Sequence, residues 1–129
     1  MATDRRISQE LWLIFAAIVV FLVQVLVILG FDGTGDSGDS IQHFLIAKYA
    51  FKHPELLLDH WGKPFFTLLA AIPSSVGFWG IKVFNCLMVI WAGFNLFYIS
   101  QRLFSGRFLL ASFLFIAMPE VIRLQFSGL

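Results

Sequence analysis

The sequence predicts an all-α membrane protein with about three transmembrane helices and an external loop that carries interfacial amphipathic helices. Hydrophobic residues make up 59% of the 129 residues and charged residues only 13%. A soluble domain of this size leaves too much of its surface in water to hide that apolar content. Uninterrupted apolar stretches long enough to cross a bilayer alternate with one loop in which the ionisable groups are concentrated. The lipid bilayer is therefore the expected solvent.

Charge and cysteine content exclude two classes of protein. The net charge is +1, which gives no basic surface for binding nucleic acid. The single cysteine, Cys86, excludes an intrachain disulfide framework.

The first predicted transmembrane helix covers residues 11–31. This stretch contains no charged residue and only Gln24 as a strongly polar interruption. At about 1.5 Å per residue it crosses a hydrocarbon core of roughly 30 Å. Residues 1–10 form a predicted cytoplasmic N-terminus, since Arg5 and Arg6 favour the cytoplasmic side.

Two further spans are predicted at 78–103 and 108–127. Lys82 lies near one end of the second span, where its stem is expected to snorkel to the interface. The third span is interrupted by Pro119, Glu120 and Arg123. Glu120 and Arg123 are three residues apart and are expected to pair on one helix face.

The segment 65–77 is predicted to enter the membrane without crossing it. Its apolar stretch before Pro73 is too short to span. If it does not cross, the connection from Arg102 to Arg107, with the predicted cytoplasmic turn at 104–107, returns to the cytoplasm, as the positive-inside rule requires. The loop 32–77 then lies outside the cytoplasm.

The external loop contains the first candidate site residues. Asp39 and Gln42 have the spacing of a capping box, which predicts the start of an amphipathic interfacial helix that Pro54 ends. Asp39 and His43 are four apart, so they share a helix face near its partly positive end. Such a place suits handling of a phosphate or a hydroxyl proton. The alternative is that Asp39 only caps the helix.

The motif at 59–64, Asp-His-Trp-Gly-Lys-Pro, contains the second group of candidates. Proline holds Lys63 in an extended conformation, and Gly62 lets the backbone turn. Trp61 is a typical interface anchor. Lys63 is thus placed to meet a lipid phosphate at membrane level, or alternatively to act as a snorkelling anchor. His60 and His43 have the plainer alternative of ordinary hydrogen bonding at an interface.

A divalent metal site is a further alternative that ligand spacing does not support. We therefore predict no metal and no other cofactor. The residues that would form such a site are Asp36, Asp39, His43, His53 and His60.

The order of these segments resembles the N-terminal part of integral-membrane glycosyltransferases of the GT-C superfamily. The branch it resembles is that of the protein O-mannosyltransferases, the aminoarabinose transferases and their bacterial relatives. The segments that carry the resemblance are GDSIQHFLIAKYA, HWGKPFFTLLAAI, FWGIKVFN and ISQRLFSGRFLLA, followed by a helix with an internal proline.

The resemblance implies transfer of a sugar from a polyprenyl-phosphate donor to an acceptor on the outer face of the membrane. It implies that Asp39 is the base or positions the acceptor, and that Lys63 contacts the donor phosphate, with His43 and His60 shaping the pocket. It also implies a location in the bacterial cytoplasmic membrane. Many relatives have a glutamate where this chain has Gly62, and often a second acid where it has Ser40. Because relatives are several times longer, we expect a fragment that is inactive alone.

Two other functions compete with this expectation. A small non-enzymatic membrane subunit would dock a partner through the external amphipathic helix. A small transporter fits less well, because the spans carry no ionisable residue near their middle and only Gln24, Asn85 and Asn95 are polar there.

Overall fold

The structure, a computed structural model, describes residues 2–34, 38–103 and 108–127. These residues form helices and no strand, which confirms the all-α class. The helices are α1 (Ala2–Gly30), α2 (Asp39–Tyr49), a 3₁₀ helix (Pro54–Leu58), α3 (Pro64–Val76), α4 (Phe78–Leu103), α5 (Phe108–Ile116) and α6 (Pro119–Ser127).

Two helices are long and apolar enough to cross a membrane, Ile7–Gly30 within α1 and Phe78–Leu103, which is α4. The chain is therefore a membrane protein. By contrast, α3 has 13 residues and is about 20 Å long, which is shorter than the roughly 30 Å of a hydrocarbon core.

The predicted third span is broken. Residues Leu110–Ile116 and Pro119–Ser127 are inclined at 43° to each other and can count together as one span. The break lies just before Pro119, because proline lacks the N–H that a continuous helix needs and its ring clashes with the preceding turn. The N–H of Met118 binds the Phe115 carbonyl at 3.3 Å instead of continuing the α-helical pattern.

The expected pair on α6 is confirmed. Arg123 donates from Nη2 to Glu120 Oε1 at 2.6 Å and from Nε to Oε2 at 3.1 Å. Both side chains are more than half exposed, so the pair contributes little to stability beyond the helix itself.

Lys82 is not the snorkelling residue that the sequence predicts. Its side chain is 1% exposed. The ammonium donates to the backbone carbonyls of Phe31 at 3.1 Å and Gly33 at 2.7 Å. It also lies 5.0 Å from the centre of the Phe31 ring and 4.8 Å from that of Phe78. The carbonyls just after α1 replace water as its ligands, so the ammonium does not have to reach the interface.

This contact fixes the relative level of the two long helices. The carbonyls of Phe31 and Gly33 follow the last residue of α1, and Lys82 lies in the second turn of α4. The segment that joins the two helices therefore begins and ends at the same level. All of α2, the 3₁₀ helix and α3 belongs to that segment.

Helix α2 is packed on one side and exposed on the other. Phe44 and Ala47 form a cluster with Ala70 of α3 and Ile81 of α4. On the other side, Ile41 is 48% and Leu45 42% exposed. The helix ends at Tyr49 and not at Pro54, which instead begins the 3₁₀ helix. The Tyr49 carbonyl accepts the N–H groups of residues 52 and 53, both at 2.9 Å, so a turn closes the helix before the proline is reached.

Helices α3 and α4 are in close contact at Gly80. A Cβ atom placed on Gly80 would overlap the backbone oxygen of Pro73. Only a residue without a side chain fits against this carbonyl. The chain turns between the two helices at Gly77, whose φ of +140° favours glycine.

Some predictions lie outside what the structure describes. They concern the side chains of Arg5 and Arg6, the basic turn 104–107, residue Asp36, and the end of the chain at 128–129.

We expect Gly80→Ala to lower the free energy of unfolding by about 1–3 kcal/mol, the usual cost of overpacking. The obstacle is backbone, which cannot rotate away. Gly93→Ala is the matched control on the same helix, since the added Cβ would meet only Ile116 Cδ1 and Cγ1, the end of a flexible side chain. Denaturant titration of the two variants in detergent micelles measures the difference. Equal losses for both variants would contradict the close approach at Pro73.

We expect Lys82→Met to lower the free energy of unfolding by about 1.5–3 kcal/mol, the contribution of hydrogen bonds that involve a charged group. Methionine retains an apolar stem and removes the donor. Lys63→Met is the control, because Lys63 is exposed and such substitutions change stability by about 0.5 kcal/mol or less. If Lys82→Met unfolds at the same denaturant concentration as Lys63→Met, the ammonium does not tie α1 to α4.

Candidate functional site

Asp39 is the first residue of α2, and the N-cap is Gly38. The predicted capping box is therefore wrong. Gly38 has φ +114°, in the left-handed region that glycine adopts without strain, and no side-chain cap is present. The Gly38 carbonyl accepts the N–H groups of Ile41 at 3.1 Å and Gln42 at 3.2 Å. The Asp39 carboxylate therefore takes no part in capping the helix.

The Asp39 side chain is exposed at the partly positive end of α2. It forms no ion pair or hydrogen bond with any residue of the described part of the chain. His43 follows one turn later on the same helix and is half-buried. A carboxylate that is free and a neighbouring imidazole are groups able to accept a proton.

The turn at 59–62 is held by Asp59. The Asp59 carboxylate accepts the N–H of Trp61 at 2.9 Å, and its backbone carbonyl accepts the N–H of Gly62 at 2.8 Å. The same carboxylate lies 3.6 Å from His60 Nδ1. The His60 side chain is 83% exposed and its ring is 5.7 Å from that of Trp61. His60 is therefore paired within its own turn.

Gly62 is required by a close approach of backbone. A Cβ atom there would lie 2.8 Å from the Leu56 oxygen and 3.1 Å from the Asp59 oxygen. The glycosyltransferases that the sequence resembles often have a glutamate at this position. A glutamate does not fit this turn unless the 3₁₀ helix rearranges. Asp59 and His60 are the ionisable groups that precede Lys63 here.

Lys63 is the N-cap of α3 and has the extended conformation predicted for a residue before proline, with φ −98° and ψ 100°. Its carbonyl accepts the N–H of Thr67 at 2.8 Å, which joins the corner to the first turn of α3. The side chain is exposed. Its ammonium has no ion pair or hydrogen bond to the residues that the structure describes.

The two candidate groups stand at the starts of two helices that pack against each other, and they do not pair directly. Asp39 begins α2 and Lys63 immediately precedes α3, and these two helices pack against each other through Phe44, Ala47 and Ala70. No ion pair or hydrogen bond among residues 38–103 joins Asp39 to Lys63. Both charged groups therefore remain available to a ligand.

The metal alternative finds no support in the described residues. Among residues 2–34, 38–103 and 108–127, no three His, Cys, Asp or Glu side chains lie close enough to hold a metal ion. His53 pairs instead with Glu55, with 3.2 Å between His53 Nδ1 and Glu55 Oε1.

Sequence reasoning missed a polar contact inside the membrane region. Gln24 Nε2 of α1 donates to Gln125 Oε1 of α6 at 2.6 Å, and the two side chains are 4% and 1% exposed. Cys86 Sγ of α4 lies 3.9 Å from the same oxygen. Buried amides commonly join helices in this way within lipid. The available signal was Gln24, the one strongly polar residue in the apolar run 11–31.

A largely apolar cleft of about 420 Å³ lies beside this contact. Asn85 and Gln125 are the polar residues of its wall, and Asp39 and Lys63 do not line it. The other residues that line the cleft are Phe65, Phe66, Leu69, Phe84, Met88, Val89, Phe115, Val121 and Leu124.

Comparison of the chain with protein-family models, with curated proteins and with solved structures finds no match.

Proposed function

We propose that this chain is the N-terminal part of a membrane glycosyltransferase that uses a polyprenyl-phosphate-linked sugar as donor. In this proposal Asp39 is the base that receives the acceptor proton, and Lys63 is the cation that binds the donor phosphate. His43 and His60 shape the pocket. The acceptor lies at the outer face of the membrane.

The observation that carries the proposal is the pair of uncommitted charged groups in the segment between α1 and α4. The Asp39 carboxylate and the Lys63 ammonium are both exposed, and neither is paired within the described residues. Structural charges near a membrane are usually paired or satisfied, as Lys82, Asp59 and Glu120 are in this chain. Asp39 and Lys63 are therefore available to a ligand, and Lys52 is a further exposed lysine of the same segment.

Sugar transfer from a phosphate-linked donor needs one basic group and one cationic group. The acceptor oxygen forms a bond to the anomeric carbon of the sugar while the bond from that carbon to the phosphate oxygen breaks. A carboxylate near the acceptor takes the hydroxyl proton, and an ammonium group offsets the charge that develops on the leaving phosphate. The inverting displacement thus uses Asp39 and Lys63 on opposite sides of the sugar.

Asp39 and Lys63 are both exposed to solvent. This fits a chain that supplies the charged groups of the site but not the walls that exclude water from it. Electrostatic stabilisation is strong only where water is excluded. The remaining walls of the site would then come from the substrates and from further transmembrane segments of the enzyme.

The proposal requires the segment 32–77 to lie on the non-cytoplasmic side. The Lys82 contact holds the end of α1 and the beginning of α4 at one level, so both ends of this segment lie on the same side of the membrane. That this side is the outer one rests on the predicted cytoplasmic N-terminus. With the N-terminus in the cytoplasm, α1 leads outward and α4 leads back.

We expect a cysteine at Trp61 to react with an impermeant maleimide in intact cells. A cysteine at Ser105 should react only after the membrane is opened. The Cys86→Ala background removes the native thiol. Labelling of position 105 from outside, or protection of position 61, would overturn the orientation.

We expect Asp39→Asn to reduce sugar transfer by about 10²–10⁴-fold, the usual contribution of a general base. Asparagine keeps the size of the side chain and removes its basicity. The control is Glu55→Gln, which removes a different exposed carboxylate from the same segment. The assay follows transfer from a polyprenyl-phosphate sugar in membranes that contain the full gene product. Unchanged transfer by the Asp39→Asn variant would exclude Asp39 as the base.

Lys63→Met should weaken donor binding in the same assay and leave membrane insertion normal, because the apolar stem is kept. Lys52→Met is the matched control, since Lys52 is another exposed lysine in the segment. A similar effect of both variants would indicate a general effect of charge and contradict a phosphate contact at Lys63.

The competing function, a docking subunit, makes a different use of α2. Its docking face would contain Ile41 and Leu45, which are 48% and 42% exposed, and not Phe44, which is only 9% exposed. Loss of partner association on Leu45→Ser together with indifference to Asp39→Asn and Lys63→Met would favour this function.

A further inference from the structure

Helix α4 has one packed face and one unpartnered face. Gly93, Phe97 and Ser100 are buried against the rest of the chain. On the opposite side Trp91 is 64% and Tyr98 44% exposed, and Asn95 between them is exposed as well. We call residues 91, 95 and 98 the outer face of α4. Their separations of four and three residues place them in one row along the helix.

Asn95 is a polar residue at the depth of the hydrocarbon core. Helix α4 has 26 residues and is about 39 Å long, against a core of roughly 30 Å. Asn95 is eight residues from the end at Leu103, which is about 12 Å. When the helix is centred in the bilayer, Asn95 lies several ångströms inside the core.

The amide of Asn95 is only partly satisfied. Its nitrogen donates to the Trp91 carbonyl of its own helix at 2.8 Å. Its oxygen accepts no hydrogen bond from the residues that the structure describes. Lipid chains supply no donor, so this oxygen is costly to leave unpaired in the core.

The exposed face of α1 shows the contrast. The exposed large side chains between residues 11 and 29 are all hydrophobic, Leu22 at 56% and Leu26 at 71% among them. The polar residue of that stretch, Gln24, is turned inward and bound to Gln125. Lipid is therefore a sufficient partner for α1 but not for the outer face of α4.

We propose that a second copy of this chain covers the outer face of α4, with the Asn95 amides of the two copies hydrogen-bonded to each other. Two copies inserted in the same orientation place their Asn95 side chains at the same depth. An amide carries both a donor and an acceptor, so asparagine is complementary to itself. A different partner would need its own polar group at that depth, whereas a second copy has one by symmetry.

The neighbours of Asn95 fit the same arrangement. A single buried asparagine in the seam between two parallel helices fixes the register of the pair. The rings flank the amide pair above and below and keep lipid away from it. This inference is independent of the proposed glycosyltransferase activity.

The first test uses disulfide crosslinking in native membranes, on the full gene product with Cys86→Ala and with Asn95 retained. Single cysteines at Trp91 and at Tyr98 should give crosslinked dimers under mild oxidation. A single cysteine at Leu26 of α1 is the control, because it is more exposed than either but lies on the face assigned to lipid. Absence of crosslinks at 91 and 98, or equal crosslinking at 26, would overturn the proposal.

The second test measures the amide itself. Energy transfer between two labelled populations in phosphatidylcholine vesicles should report dimers, and Asn95→Leu should lower the association constant about three- to tenfold, the effect of one hydrogen bond between membrane helices. Asn95→Gln keeps the amide and should restore most of the association. Circular dichroism confirms that each variant is helical. Dimers of undiminished strength in Asn95→Leu, or a monomer in the unsubstituted protein, would refute the role of Asn95.

Discussion

The arrangement of this chain depends on one buried cation. Lys82 has its ammonium in contact with two backbone carbonyls just beyond α1 and with two aromatic rings. An ammonium in an apolar environment is stable only when its donors are satisfied. The contact therefore holds the beginning of α4 against the end of α1. Helices α2 and α3 lie within the segment whose two ends are fixed, and the cluster of Phe44, Ala47, Ala70 and Ile81 packs them against α4.

Much of the helical architecture was predictable, because it follows from runs of apolar residues. The bounds 78–103 of the second predicted span are those of α4, and the short segment before Pro73 forms a helix too short to cross. The extended conformation of Lys63 was also predictable, since it follows from the proline after it. These features depend only on residues that are close together in the chain, so they can be predicted from one sequence.

The errors concern features that depend on partners far apart in the chain. The sequence shows Lys82 near a helix end, but its carbonyl ligands are 51 and 49 residues away. The same holds for Gln24 and Gln125, which are separated by 101 residues. The error at the start of α2 is local. The N-cap is Gly38, and the Asp39 side chain does not cap the helix. The left-handed backbone conformation of Gly38 decides where the helix begins, and the spacing of Asp39 and Gln42 gives no information about it.

The buried lysine also constrains the order in which the protein is assembled during synthesis. A lysine on an isolated helix costs about 2.5–3.5 kcal/mol at the bilayer centre and less near a helix end, where Lys82 lies. The carbonyls that bind Lys82 belong to residues translated some fifty positions earlier, so they are already at the membrane when α4 leaves the ribosome. Packing against the end of α1 offsets this cost, so the contact favours insertion of α1 and α4 as a hairpin over insertion of α4 alone.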